Sequence, residues 1–321
     1  MQAIVSTTSP TTGRPLAALK TIPLPPPPPP DHLLIRTTAI ALNAVDVRYA
    51  YNELVKHPSQ SGRGCASLGR RIPNPAPGAF AEYILAQAAT TFRIPDGVKD
   101  EEAAAVPANA LTAAQFVVQL ARASLPSSER LKILATASPK NHGLVRSLGA
   151  DEVFDYRDPG WVSSVRRAAG GERGKGAVDL AFDCISDGRT VRQCAETMSQ
   201  ERGGKVAVVE MGFEREGIRQ NVEVLMGVVW TAPLPANSTS LAFTSAFYSY
   251  IAPRNSSTFA HLRPPAVRLM PGGLERVVPD GFELFGAGRY RGEEEEGEKE
   301  EKRTEEYMRP VSAEKVVYRL S

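Results

Sequence analysis

Cysteine is scarce in this sequence. The three residues, Cys65, Cys184 and Cys194, are an odd number without CxxC spacing, which argues against a disulfide framework and against a structural zinc site. Each is expected as a small buried apolar residue, and no metal is expected. Long apolar runs are missing as well. The stretch Val224–Trp230 falls far short of the roughly 20 residues that a membrane-spanning helix needs. The start, Met1 to Val5, enters a strand-like run with no basic region and apolar segment of the secretory kind. A cytoplasmic protein without membrane attachment is the expectation. Excess charge of one sign is absent too. With 38 Lys and Arg against 36 Asp and Glu, the formal net charge is +2, so nothing in the overall field gathers nucleic acid or an anionic surface.

What is present is 321 residues with 42% hydrophobic content, enough for roughly two domains with cores of their own. Pro23 to Pro30 cannot donate a ladder of hydrogen bonds and predicts a stiff polyproline stretch, either a connecting loop or a docking site for a proline-reading partner. Leu33–Leu42 has the β-branched content of one strand, and Ala79–Ala86 could be a second. Between them Pro58–Pro77 offers little to a core. From about residue 112 helix and strand signals alternate, as in a parallel sheet with crossover helices. Phe116–Ala123 reads as a buried helix, Leu131–Ala137 as a strand and His142–Leu148 as a short helix. Ala177–Ile185 and Lys205–Met211 read as further strands around a helix at Thr190–Gln200. The succession predicts an α/β chain with a doubly wound parallel sheet. Near the end, Glu293–Glu306 holds nine glutamates against three basic residues, the pattern of a solvated helix or a disordered insertion. Val311–Leu320 then alternates like a strand.

The most informative local motif is LKILATASPKN, Leu131–Asn141. A strand runs into a helix start that Ser138 can cap, with Pro139 at the first helical position, where its missing N–H costs nothing. Dinucleotide folds that prefer NAD place an acidic side chain at the end of this strand to hold the ribose 2′-hydroxyl. Here Ser138, Lys140 and Asn141 offer a hydroxyl, a cation and an amide, a set suited to a 2′-phosphate and hence to NADPH. The same residues also read as an ordinary capped helix with an exposed lysine. Tyr156 could lie against the adenosine end of a cofactor or be a half-buried packing residue. Upstream of the Phe116–Ala123 helix no GxGxxG or equivalent appears, and without a tight glycine turn the backbone cannot approach a diphosphate closely.

At these residues the sequence resembles the fungal trans-acting enoyl reductases, zinc-free members of the medium-chain dehydrogenase/reductase superfamily. The likeness rests on Ala135–Pro159, supported by ALNAVDVRY (Ala41–Tyr49), GAFAEY (Gly78–Tyr83), FDCIS (Phe182–Ser186), PGGLE (Pro271–Glu275) and VSAEKVVYRL (Val311–Leu320). The resemblance implies an incomplete GroES-like β domain over 1–111 and a Rossmann-type doubly wound parallel sheet domain over 112–250. A C-terminal segment, 251–321, returns to the first domain and carries the acidic insertion at 293–306. It implies NADPH contacts from Val45, Asp46, Val47 and Arg48, from Thr112, from Ser138, Pro139, Lys140 and Asn141, from Tyr156, and from Val311 and Ser312. It implies a substrate pocket lined by Val228, Val229, Trp230, Thr231 and Ala232. Two segments of the family pattern are missing: strands and turns between Ile72 and Pro73, and the first Rossmann strand with its glycine loop between Gln115 and Phe116.

The activity so implied is hydride transfer from NADPH to the β-carbon of an α,β-unsaturated acyl thioester, followed by protonation of the α-carbon. Arg48 and Thr112 are the candidate catalytic groups, as polarising or orienting residues; His57, His142 and His261 show no partner that would make an acid of them. The acyl chain would be a small molecule or be carried by a polyketide synthase acting as partner. Two other readings stand beside this one: a quinone or enone reductase on small free substrates, and a non-catalytic remnant or mispredicted gene product lacking the cofactor loop.

Overall fold

The computed structural model describes residues 1–8, 15–51, 79–114, 132–170, 178–186, 188–209, 213–226, 238–288 and 305–320. Among them twelve strands run in chain order. They are β1 (Gln2–Thr8), β2 (Pro15–Thr21), β3 (His32–Arg36), β4 (Ala39–Ala41), β5 (Tyr83–Gln87), β6 (Leu134–Thr136), β7 (Glu152–Phe154), β8 (Leu180–Asp183), β9 (Gly204–Val208), β10 (Val222–Met226), β11 (Ala266–Leu269) and β12 (Glu314–Arg319). The chain divides into two compact units, Met1–Leu111 with Val229–Ser321, and Thr112–Val228.

The first unit is rich in antiparallel sheet. β1 and β2 form a hairpin, β3 pairs with β5, and β12 lies between β11, which it meets in parallel, and β4, which it meets antiparallel. The single strand expected over Leu33–Leu42 is two strands in two sheets. The reason lies at Thr37 and Thr38: the Thr37 amide donates to Glu82 beside β5, whereas the Thr38 carbonyl accepts from Leu320 at the end of β12. The chain thus changes sheets within two residues. The core gathers Ile4, Leu42, Val47, Phe80, Phe282 and Tyr318, with Phe282 edge-on to both Tyr51 and Phe80. Gly281 lets the turn before Phe282 close on this core, because a Cβ there would stand 2.6 Å from Leu42 Cδ2. Pro23 to Pro29 enters neither helix nor strand, as its missing donors require.

The helix Ser238–Ile251, within the stretch that the family pattern assigns to the dinucleotide half, belongs to this first unit. Its Tyr248 and Ile251 pack with Val106, Leu111 and Phe259, and Phe92 meets Tyr248 edge-on at 5.1 Å. Apolar burial decides its membership.

The second unit is parallel sheet with helices. β9 lies between β8 and β10, and β6 pairs with β7, all in parallel. Along β9 the side chains alternate as a pleated strand demands: Val206 and Val208 are buried with Val191, Ala195 and Met198 of the helix Thr190–Thr197, while Ala207 is buried on the opposite face near Leu180 and Leu225. Burial on both faces of a central parallel strand is what the doubly wound arrangement requires. In the order 3-2-1-4-5-6 of that fold, β7 and β6 take places 3 and 2, and β8, β9 and β10 take places 4, 5 and 6. No described residue fills place 1, and the two sheets are unjoined among the described residues. The helix expected at Phe116–Ala123 and most of the acidic run Glu293–Glu306 lie outside the described residues. Among the described residues no helix is long and apolar enough to cross a membrane.

Candidate cofactor-binding site

In the second unit, β6 leads through Ala137 and Ser138 into a single 3-10 turn, Pro139–Asn141, and then the short helix His142–Ser147. Ala137 stays in register with β7, its amide donating to the Phe154 carbonyl at 2.9 Å, and Asn141 N–H donates to the Ser138 carbonyl at 2.8 Å. Pro139 stands at the start of that turn, as its fixed φ favours. Ser138 corrects the expectation of a side-chain cap. It makes no capping bond; its hydroxyl instead lies 3.3 Å from the Tyr156 hydroxyl beyond β7. The chain turns through 3-10 geometry here, and Tyr156 competes for the serine oxygen. Tyr156 is half exposed, with the Arg157 guanidinium 5.7 Å from its ring centre. Lys140 is exposed and Asn141 half-buried. Asp155 is held by Arg157 through Nε at 3.0 Å and Nη2 at 3.3 Å, which keeps its carboxyl below the usual range. The result is a surface with two hydroxyls, a lysine, and an arginine already paired. His142 accounts for itself, its Nε2 lying 3.0 Å from the Ala137 carbonyl.

In the first unit, β4 ends at Ala41, and Asn43 opens the helix Ala44–Tyr51. Asp46, three residues on, turns its carboxylate back: Oδ2 accepts from the Asn43 backbone N–H at 2.7 Å and from Asn43 Nδ2 at 3.3 Å. This is one half of a capping box, with the acid satisfying the donor at the helix start. Asp46 has no exposed surface, and burial lifts its carboxyl to about 7, the Asn43 bonds and the Lys315 charge offsetting only part of that. Its Oδ1 has no hydrogen-bond partner among the described residues. Val47 is wholly buried in the core, Val45 half-buried. Of the four residues implied on this loop, two therefore face inward and shape the site through what they hold. The Arg48 side chain lies outside the described residues.

Lys315, on β12, enters the same cluster. Its Nζ donates to Asn43 Oδ1 and, at 3.1 Å, to Asn109 Oδ1, and burial pulls its ammonium down to about 8 against the opposing pull of Asp46. Val311 and Ser312, both half-buried, lead into β12, and Arg268 fixes that approach. Its guanidinium, 5% exposed, donates to the carbonyls of Tyr307 (3.0 Å), Arg309 (2.6 Å) and Pro310 (3.2 Å) and pairs with Glu314. The non-glycine residue Ala313 takes a positive φ of 55° between them. Thr112, half-buried, stands on the helical run 107–114.

Asn43, Asn109, Lys315 and Arg268 were not singled out by the sequence reading. Two signals were there. NxxD precedes a helix at Asn43, and a lysine interrupts a strand whose neighbours Val316, Val317 and Tyr318 are all fully buried. The substrate residues Val228, Val229, Trp230, Thr231 and Ala232 lie outside the described residues, as do His57 and Cys65. His261 stacks on Tyr250 with ring centres 4.1 Å apart. Cys184 is exposed, not buried as expected, at the loop where β8 ends; Cys194 is half-buried, with its thiol pushed up to about 12 by burial. Among the described residues no group of three or more His, Cys, Asp or Glu could hold a metal ion.

No protein-family model matches the chain. It is 26% identical over 326 residues to the trans-enoyl reductase buaC of Petromyces alliaceus, across 82% of this chain and 88% of that protein. It is 25% identical over 325 residues to the trans-enoyl reductase ACTTS2 of Alternaria alternata, across 84% and 92%. Among solved structures, the enoyl reductase CurK superposes with a TM-score of 0.66 at 15% identity over all of both chains. The mycobacterial Rv1454c, solved with NADPH, does so with a TM-score of 0.59 at 16% identity, again over all of both chains. The chain is thus similar in sequence to fungal trans-enoyl reductases, and it shares its fold with solved enoyl reductases and alcohol dehydrogenases.

Proposed function

We propose that this chain is an NADPH-dependent enoyl reductase that takes an α,β-unsaturated acyl thioester from the carrier domain of a separate polyketide synthase. The observation that carries the cofactor half of this reading is the end of β6. Where an NAD enzyme needs a carboxylate for the ribose 2′-hydroxyl, the paired hydroxyls of Ser138 and Tyr156 stand near exposed Lys140. Hydroxyl donors and a cation suit a 2′-phosphate and repel nothing on it. Asp155, the neighbouring acid, is spent on Arg157. The substrate half is supported by the relatives, named trans-enoyl reductases.

Bound NADPH would supply the hydride. The residues of the chain bind and orient. Ser138, Lys140 and Tyr156 would hold the phosphorylated ribose. In the other unit, the segments 45–48 and 311–312, which the family pattern assigns to the cofactor, are braced by Asn43, Lys315 and Arg268. Arg48 and Thr112 are the candidate orienting or polarising groups, each within its own unit, a role in which preorganised donors contribute most.

One feature of the sequence favours a second reading, a non-catalytic relative: no GxGxxG or equivalent stands upstream of residue 116. A single experiment separates the two. Nicotinamide fluorescence is followed while purified protein is titrated with NADPH and, in parallel, NADH. Micromolar, saturable binding of NADPH with at least ~10-fold weaker NADH is expected, a difference of about 1.4 kcal/mol. Absence of saturable binding would leave the non-catalytic relative standing, and equal affinities would remove the 2′-phosphate argument.

A further inference from the structure

The Lys315 cluster orients a donor that it does not use. A lysine ammonium only donates, so each asparagine that meets it must present its oxygen. For Asn43 the consequence is internal, since its Nδ2 turns to Asp46 Oδ2. For Asn109 it is external. Its Oδ1 is taken by Lys315 at 3.1 Å, which leaves the amide N–H2 of this exposed residue available to a ligand acceptor. The flip of this side chain, arbitrary for most surface asparagines, is thereby fixed by a buried charge. Asn109 also stands one helical turn before Thr112 on the run 107–114, and Lys315 three residues after Ser312.

The geometry points to Asn109 as a ligand-binding residue whose side-chain amide donates to a carbonyl oxygen of the bound ligand, with Lys315 as the positioning residue that aims it. This rests on the enoyl reductase reading and deepens it. The acceptor is a carbonyl of the amide or ester class, and two sources carry one: the nicotinamide carboxamide and the acyl thioester. An aimed donor beside developing negative charge on either oxygen contributes without reorganisation at the moment of reaction.

Two substitutions at the surface position separate donation from packing. Asn109→Ala removes the donor and one of the two partners of Lys315; Asn109→Asp keeps an acceptor for Lys315, removes the donor and adds a negative charge that repels a ligand oxygen. Both are expected to fold, with thermal midpoints within a few degrees of the wild-type chain, because the residue is exposed. Measured on the full chain, each should weaken NADPH binding about 10-fold if the carboxamide is the acceptor. Each should instead raise KM or lower kcat for a crotonyl-pantetheine thioester about 10-fold, at unchanged NADPH affinity, if the thioester is. Lys315→Met should reproduce the same loss, and combined with Asn109→Ala should add little to it, as expected of residues acting as a unit. Wild-type-like binding and kinetics in Asn109→Asp would overturn the inference and make Asn109 a mere structural acceptor. If the wild-type chain itself fails to bind NADPH, the enzyme reading falls first and this inference with it; wild-type binding with unaffected Asn109 variants sinks this inference alone.

Discussion

Asp46 shows what a single buried carboxylate does to the pH behaviour of the molecule. Its pKa in the folded chain, raised to about 7 by burial, lies well above the value of ~3.9 for an unperturbed aspartate. Between these two values the unfolded chain has released the proton and the folded chain still holds it. The unfolded state therefore binds fewer protons, and stability falls as pH rises through that window. Lys315 acts in the opposite sense at higher pH. Its folded pKa is lowered to about 8, so between there and the free value the unfolded chain holds more protons and stability rises with pH. Asp46→Asn keeps an acceptor for the Asn43 amide and removes the titrating group. Denaturant titrations at pH 5 and pH 7.5 should show the wild-type chain losing stability relative to this variant, by at most about 1.4 kcal/mol for each unit between the two pKa values. A parallel pH dependence in both proteins would mean that Asp46 is already ionised at pH 5. The family resemblance implied Asp46 as a cofactor contact, but its inward orientation was not legible in NAVD. Helix periodicity does not tell which acid turns back to cap its own helix and which faces a ligand.

At the level of the element, β12 and the segment before it show where sequence patterns are informative and where they stop. VSAEKVVYRL alternated convincingly enough to predict a strand, and β12 is that strand. What the pattern could not contain is its partners, because β4 and β11 lie about 270 and 50 residues away in sequence and only the closed sheet brings them together. The same limit produced the error over Leu33–Leu42, where a run of uniform strand character hides a change of sheet at Thr37 and Thr38. Arg268 on β11 lies at the same blind spot, since its three carbonyl partners and Glu314 come from a segment some 40 residues on. Removing one member of a buried pair costs roughly 3–5 kcal/mol. Arg268→Met is accordingly expected to lower unfolding free energy by about 3 kcal/mol or more, and to raise amide exchange through 307–314. Arg268→Lys should rescue little of either, because an ammonium cannot fork across several acceptors as a planar guanidinium does. A lysine variant as stable as the original would show that charge alone, and not the fork, holds the approach to β12.

For the molecule as a whole, the parallel sheet raises the sharpest question, since it is the best-read part of the fold and the part a dinucleotide would bind. Strand signals for β6, β8 and β9 were present in the sequence, and each is a strand of a parallel sheet. Among the described residues β6 and β7 form one parallel pair and β8, β9 and β10 a second sheet. Dinucleotides bind outside the carboxyl ends of such sheets, where the strand order reverses beside place 1, so the state of that place decides how a cofactor could be held. Native-state hydrogen exchange reads it directly. β9 is paired on both sides, and its Val206, Ala207 and Val208 have no exposed surface, so its amides should exchange only through opening of the whole unit. β6 is three residues long with no buried side chain, so its amides should open locally and exchange faster by orders of magnitude. Were amides 134–136 protected as strongly as 205–208, β6 would be held by more than its pairing with β7. Rapid exchange that slows on addition of NADPH would instead show that the cofactor binds at this strand end, as binding to the folded state alone stabilises what it touches.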